Sequence, residues 1–126
     1  MAEEMTRYEG GLAAGDDFTQ QEDGGAYRNF VAYEISPSSK LTLIKVSGLV
    51  RVGNPGIKAV LSYAVPQGIN PEILLLRLDL VQRPGFWPSV VVYVPAWYTG
   101  LSEQGGYKQV QITHPYLGGI TIDVVR

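Results

Sequence analysis

The chain contains no cysteine and a single histidine among its 126 residues. Without cysteine it has no disulfide bond, thiolate metal centre, iron–sulfur cluster or cysteine nucleophile. With His114 as its one imidazole, it also has no multi-histidine metal site within one chain. We therefore expect a protein that works with no metal and no cofactor.

Targeting segments are also missing from the sequence. The first residues, MAEEMTRYEGG, are acidic and polar, whereas a secretory signal peptide has a basic start and an apolar run of roughly 7–15 residues. No run approaches the roughly 18 apolar residues of a transmembrane helix. We expect no membrane association and a cytoplasmic location, with export after removal of a leader as the alternative.

An excess of basic charge is absent as well, since the net charge is −2. A nucleic-acid-binding domain usually carries a basic stripe, so we expect no nucleic-acid partner. Neither a phosphate-binding P-loop nor a strand-borne G-x-G-x-x-G motif occurs. The composition is 45% apolar and 17% charged, which suits one globular domain with a real core.

The charge is distributed unevenly along the chain. Residues 1–26 hold seven acidic residues against one arginine, a charge of −6, while residues 27–126 carry +4. We predict an acidic, glycine-rich arm over residues 1–26 and a single domain over residues 27–126. The arm is either a solvated tail or a segment that folds onto the basic body of its own chain or a neighbour. In the second case Tyr8, Leu12 and Phe18 would be its anchors.

From residue 27 onward the pattern predicts strands separated by turns, with no helix. Apolar residues alternate with period two over residues 40–52, where Gly48 indicates a bulge or bend, and over residues 72–82. The leucines Leu74, Leu76, Leu78 and Leu80 would share one face of a strand. The seven predicted strands cover residues 27–35, 40–52, 57–65, 72–82, 89–94, 107–113 and 119–125. This pattern predicts an all-β, antiparallel β-sandwich of the immunoglobulin or jelly-roll kind, with a small β-barrel as the alternative.

Several apolar residues fall on the nominally outer faces of these strands. If they are exposed they predict a second contact surface, which means oligomerisation; in a closed barrel the assignment of faces could change. These residues are Leu41, Leu43, Leu49, Ile73, Leu75 and Val81.

Aromatic residues are concentrated after the fourth predicted strand. Large side chains with a polar tip suit a protein partner or a sugar ring, and carbohydrate-binding sandwiches offer an analogy of fold and composition. The candidate binding surface comprises Phe86, Trp87, Tyr93, Trp97, Tyr98 and Tyr107. The competing interpretation is that Trp87 and Trp97, which flank turns, plug the open ends of the sandwich.

Catalytic patterns are weak in this sequence. None of the serines lies in a G-x-S-x-G elbow that His114 could serve. The acids Glu34, Asp79 and Asp123 lie within strands, where a carboxylate is usually solvated or paired with a base. We therefore predict a non-enzymatic module that binds another protein or a second copy of itself. The alternatives are a carbohydrate or small-ligand module at the aromatic loops around Trp87 and Trp97, and a small carboxylate-based hydrolase.

Overall fold

The computed structural model of this chain describes residues 25–102 and 106–126. These residues form seven strands and no helix, which confirms the all-β class. The strands are β1 (Tyr27–Ser38), β2 (Leu41–Val52), β3 (Ile57–Tyr63), β4 (Ile73–Gln82), β5 (Val92–Leu101), β6 (Gln109–His114) and β7 (Gly118–Val125). Of the predicted arm, residues 1–24 lie outside the described residues.

All seven strands belong to one sheet with the order β3-β4-β6-β7-β1-β2-β5. The two edge strands, β3 and β5, contact each other without forming a ladder, so the sheet is nearly closed and barrel-like. The shortest ladder is between β7 and β1, which share two residue pairs, Ala32 with Val124 and Tyr33 with Val125.

Two of the six pairings are parallel, which corrects the prediction of an antiparallel arrangement throughout. β4 runs parallel to β6, and β1 runs parallel to β7. Parallel neighbours need a long connection between them. Strand β5 lies between β4 and β6 in the chain, and five strands lie between β1 and β7, so both connections are long enough.

The core is filled by alternate residues from the inner side of every strand. On β2 and β4 the alternation predicted from the sequence is confirmed, with Ile44, Val46, Leu74 and Leu76 almost inaccessible to solvent. Burial of such side chains is worth about 1.5–3 kcal/mol each relative to exposure. The other fully buried large side chains are Phe30, Val50, Leu78, Val110, Ile112 and Ile120.

An irregularity in β1 changes which of its residues face the core. The register with β2 shifts between Arg28 and Val31, and Asn29 has a positive φ of 58°. Because of this bulge, Tyr27 and Phe30 both point inward although three positions separate them. The sequence prediction placed a bulge or bend at Gly48 of β2. The register shift is in β1, opposite Gly48, whose missing side chain leaves room for the Phe30 ring.

Strand β5 differs most from the prediction. The sequence pattern ended a strand before Pro95 and placed Trp97 in a loop, but β5 runs through Pro95 as far as Leu101. Proline lacks the N–H that a central strand needs, yet an edge strand tolerates it on its unpaired side. β5 is an edge strand, and Pro95 pairs in register with Leu49 of β2. Trp97 and Tyr98 therefore lie on a strand rather than in a loop.

Candidate binding surface

The aromatic residues singled out from the sequence occupy three different settings. Phe86 and Trp87 lie in the connection between β4 and β5. Tyr93, Trp97 and Tyr98 lie on β5, where alternation places the first two outward and the third inward. Tyr107 precedes β6 and packs against the core.

Trp87 covers the turn between β2 and β3. A Cβ added to Gly56 would lie 2.4 Å from its Cε2 atom, so the indole ring rests directly on the glycine backbone. The indole Nε1–H donates to the Arg83 carbonyl at 3.0 Å, and the Arg83 guanidinium carbon lies 4.9 Å from the ring centroid. These contacts fix Trp87 in place, whereas the neighbouring Phe86 is fully exposed.

Tyr98 and Tyr107 are only half accessible. Tyr98 points toward β3, and burial, together with the nearby Tyr63, raises the pKa of its phenol. Tyr107 accepts a hydrogen bond at its carbonyl from the Arg126 guanidinium. Both residues contribute to the body of the domain, so of the aromatic residues predicted on β5 and beside β6, Trp97 and Tyr93 are the ones that face outward.

That surface is the outward side of β1, β2 and β5, here called the outer face. The strand register aligns its residues in rows across the three strands. In the central row the short side chain of Ser47 lies between Val31 and Trp97. Trp97 is 62% exposed. The outward apolar residues of the face are Val31, Tyr33, Ile35, Leu43, Leu49, Pro95, Trp97 and Leu101.

One end of the outer face is basic. Arg28 and Arg51 lie at this end, and Lys45 lies nearer the centre. The Arg28 guanidinium carbon is 3.9 Å from the ring centroid of Tyr93, a cation–π contact that crosses β2. Among the described residues, the one acid of β1, β2 and β5 is Glu34, which alternates to the inner side and is hydrogen-bonded there. The outer face therefore combines apolar side chains with positive charge only.

Sequence reasoning identified only part of this surface. Leu43 and Leu49 were expected on an outer face, and they do alternate with buried neighbours. Val31, Tyr33 and Ile35 were missed because the bulge at Asn29 breaks the alternation of β1. A period-two pattern read forward from Val31 would have found the exposed set, but only a three-dimensional register brings it beside Trp97.

The carboxylates considered for a hydrolase are not brought together. Asp79 forms an ion pair with Arg77 at 3.1 Å, and Asp123 accepts a hydrogen bond from Gln109 at 3.2 Å. Gln109 is also the register partner of Ile73, six residues before Asp79 on β4. That register puts the two carboxylates about 20 Å apart along the strands, beyond the roughly 5–9.5 Å of glycosidase pairs.

Glu34 lies on the opposite side of the sheet from these two acids. Its side chain is 4% exposed and accepts hydrogen bonds from Ser102 Oγ at 2.8 Å and from Arg126 Nε at 3.1 Å. A buried carboxylate held by a serine and an arginine stabilises the junction of β1 with the chain end.

His114 organises the turn between β6 and β7. Its Nδ1 accepts from the backbone N–H groups of Tyr116 and Leu117, both at 3.2 Å. Burial lowers the pKa of the imidazole, and the nearby Asp79 carboxylate opposes that shift. The neutral form is therefore the one that fits the turn.

Within the described part of the chain, no three side chains of a metal-ligating type gather as a site. Over those same residues the structure also contains no helix with the length and apolarity to cross a membrane. Comparison of the chain with known protein families, curated proteins and solved structures finds no match.

Proposed function

We propose that this protein is a non-enzymatic interaction module that binds a second copy of itself through the outer face of β1, β2 and β5. The observation that supports this function is the row of Val31, Ser47 and Trp97, with a largely exposed tryptophan in the middle row of an apolar face. Tryptophan in such a setting is a frequent hot spot of protein interfaces. Apolar patches of this kind on a monomer commonly mark contact sites.

The distribution of charge favours a second copy as the occupant. Arg28 and Arg51 lie at one end of the face, and Leu43 and Leu101 lie at the other. A two-fold axis near Ser47 would place the apolar end of one copy over the basic end of the other. The two arginine clusters would then be separated, so like charges would not meet.

The shape of the face also suits such a contact. Three strands and five outward rows span roughly 14 Å by 33 Å. Two sheet faces pack well at a separation of about 10 Å. An area of about 460 Å² per copy is smaller than the roughly 800 Å² per partner of a standard stable interface, so we expect a weak dimer that forms at high concentration. Within each copy, we propose that the sheet folds over as two sandwich-like halves, β3-β4-β6-β7 and β7-β1-β2-β5. The two halves share β7 and enclose one core.

The decisive experiment is the solution mass of the full chain, measured by light scattering over a range of concentrations. We expect a dimer whose dissociation constant rises at least tenfold in Trp97→Ala. The Trp97 side chain is mostly exposed, so the monomer of this variant should keep its free energy of unfolding within about 0.5 kcal/mol. The matched control is Phe86→Ala, which removes a fully exposed aromatic ring outside the outer face.

A monomer at every concentration would overturn the proposal, and so would equal weakening by Phe86→Ala. If that monomer showed a tryptophan fluorescence response to a glycan panel, lost in Trp97→Ala, the carbohydrate platform would replace self-association. A large loss of stability in Trp97→Ala would mean that the residue supports the fold rather than an interface.

A further inference from the structure

We propose that His114 makes the turn between β6 and β7 an acid-sensitive latch, which is closed while the imidazole is neutral and opens when the imidazole takes up a proton. This device goes beyond the self-association proposed above, because the turn lies outside the outer face. The hydrogen bonds of this turn, and those of two related turns in the same chain, support it.

Three turns of the described chain share one arrangement, in which a polar side chain precedes a proline and accepts the backbone N–H that follows it. Asn54 Oδ1 and Asn70 Oδ1 each accept the N–H two residues on, at 2.8 and 2.9 Å. His114 Nδ1 accepts the Tyr116 N–H at 3.2 Å. Proline has a fixed φ and no N–H, so the next N–H is the first donor that can reach back to the side chain.

The histidine turn depends more on its side chain than the two asparagine turns do. In each asparagine turn, the N–H three residues on donates to the main-chain carbonyl of the asparagine, at 3.3 Å. In the histidine turn the corresponding N–H, that of Leu117, also donates to Nδ1, at 3.2 Å. One ring nitrogen therefore holds two backbone groups.

A proton on the ring removes the acceptor that both groups need. An asparagine side-chain oxygen accepts hydrogen bonds at every pH, whereas a protonated imidazole carries an N–H on both nitrogens and accepts none. Protonation of His114 would turn an N–H toward two other N–H donors. Both hydrogen bonds of the turn are then lost, while the asparagine turns stay closed.

The surroundings of His114 favour the neutral ring in the closed turn. Burial lowers the pKa of the imidazole from the ordinary 6.5, and the Asp79 carboxylate of β4 opposes that shift. Asp79 is itself paired with Arg77, at 3.1 Å. Two phenols also face the turn, Tyr116, whose ring centroid is 5.8 Å from that of the imidazole, and Tyr27 of β1.

Acid therefore opens the turn. Opening exposes the imidazole to water and restores its ordinary pKa. Below about pH 6.5 the open form takes up a proton before the closed form does, and this uptake favours opening. The closed turn has its full stability above that pH and loses it as the pH falls through the lower pKa of the closed form.

The turn also links β7 to β1, away from the two residue pairs of their ladder. Gly118, the first residue of β7, accepts the Tyr27 hydroxyl at 2.8 Å, and Leu117 packs against the core. Both contacts need the chain to fold back at positions 115–118. Opening of the turn is therefore expected to break the contact between Tyr27 and Gly118 and to loosen β7 from β1.

An NMR titration of the full chain from pH 8 to pH 5 tests the latch. We expect the His114 ring to titrate below pH 6.5, and the amide signals of Tyr116 and Leu117 to shift with the same midpoint. Hydrogen exchange at Leu117, corrected for the pH dependence of an unprotected amide, should be about tenfold faster at pH 5 than at pH 7.5, as a pKa lowered by about one unit would produce. The amides of Gly56 and Glu72, in the asparagine turns, should not follow the His114 midpoint.

Two variants give the reference states of the turn. His114→Asn is the matched control, because it supplies the acceptor of the asparagine turns, which does not titrate. Its Tyr116 and Leu117 amides should show no midpoint. His114→Ala removes the acceptor, so Leu117 should exchange at every pH about as fast as it does in the acid form of the unsubstituted protein.

The proposal is wrong if His114 titrates while the Tyr116 and Leu117 amides stay unchanged, or if His114 titrates at or above pH 6.5. It is also wrong if those amides follow the same midpoint in His114→Asn, because another group would then cause the response. These signals report the turn within one copy, so a monomer in light scattering would overturn self-association and leave the latch standing.

Discussion

Single glycines determine how closely the large side chains of this core can approach the backbone. The Phe30 ring is buried on top of Gly48 of β2, and a Cβ at that position would lie 2.3 Å from Phe30 Cγ. Real Cβ atoms do not come so close to another heavy atom, so the ring or the strand would have to move. Protein interiors are packed densely enough that such movement spreads to neighbouring residues.

We predict that Gly48→Ala lowers the free energy of unfolding by about 2 kcal/mol, through overpacking against Phe30. Urea unfolding followed by tryptophan fluorescence measures the change. The control is Gly53→Ala, where no heavy atom lies within 4 Å of the new Cβ, and it should change stability by less than about 0.5 kcal/mol. Adding Phe30→Leu to Gly48→Ala should cost less than the sum of the two single changes. Equal losses at Gly48 and Gly53 would contradict this account of the packing.

At the scale of whole strands, the sequence predicts those elements whose alternation is uninterrupted. The four alternating leucines of β4 and the apolar positions of β2 identify both strands and their inner faces correctly. Prediction failed where a local rule was overridden by the position of the strand in the sheet. Pro95 indicates the end of a strand unless that strand is known to lie at an edge, and edge position is a property of the folded sheet.

The candidate site was predictable to a similar extent. The aromatic residues that could form a surface were recognisable, Trp97 among them, but their separation into three settings was not. Side-chain direction on β5 depends on its register with β2, and a shift of one residue would exchange the inner and outer sets. The non-aromatic part of the outer face, including Val31, depends in the same way on the bulge in β1.

We predict that the bulge in β1 depends on the backbone conformation of Asn29. Its φ of 58° is in the left-handed region, which asparagine and glycine tolerate and β-branched residues avoid. Asn29→Val should therefore lower the free energy of unfolding by about 1–2 kcal/mol, whereas the matched change Asn29→Gly should alter it little. Urea unfolding of the three proteins gives the comparison. If valine were tolerated as well as glycine, the bulge would not depend on the left-handed residue.

At the scale of the whole molecule, the nearly closed sheet depends on the junction of β7 with β1. The ladder there has two residue pairs, far fewer than the ten pairs between β2 and β5. Side chains reinforce this junction from both ends. The Tyr27 hydroxyl donates to the Gly118 carbonyl at 2.8 Å, and Arg126 pairs with the buried Glu34 while also donating to the Tyr107 carbonyl.

We predict that Arg126→Met destabilises the junction of β7 with β1 more than it destabilises the rest of the fold. The change removes the Arg126 partner of the buried Glu34 carboxylate, and because Arg126 is itself partly exposed we expect a cost of about 1–3 kcal/mol. Amide hydrogen exchange should accelerate most in β7 and at the paired residues of β1, while urea unfolding measures the total loss of stability.

The double variant Glu34→Met with Arg126→Met should recover part of that loss, because it removes the buried charge together with its partner. Arg126→Lys is the matched control, since it keeps the positive charge and should lose less than Arg126→Met. Faster exchange in β3 and β4 than at the junction would show that the sheet opens elsewhere, at the contact between its two edge strands.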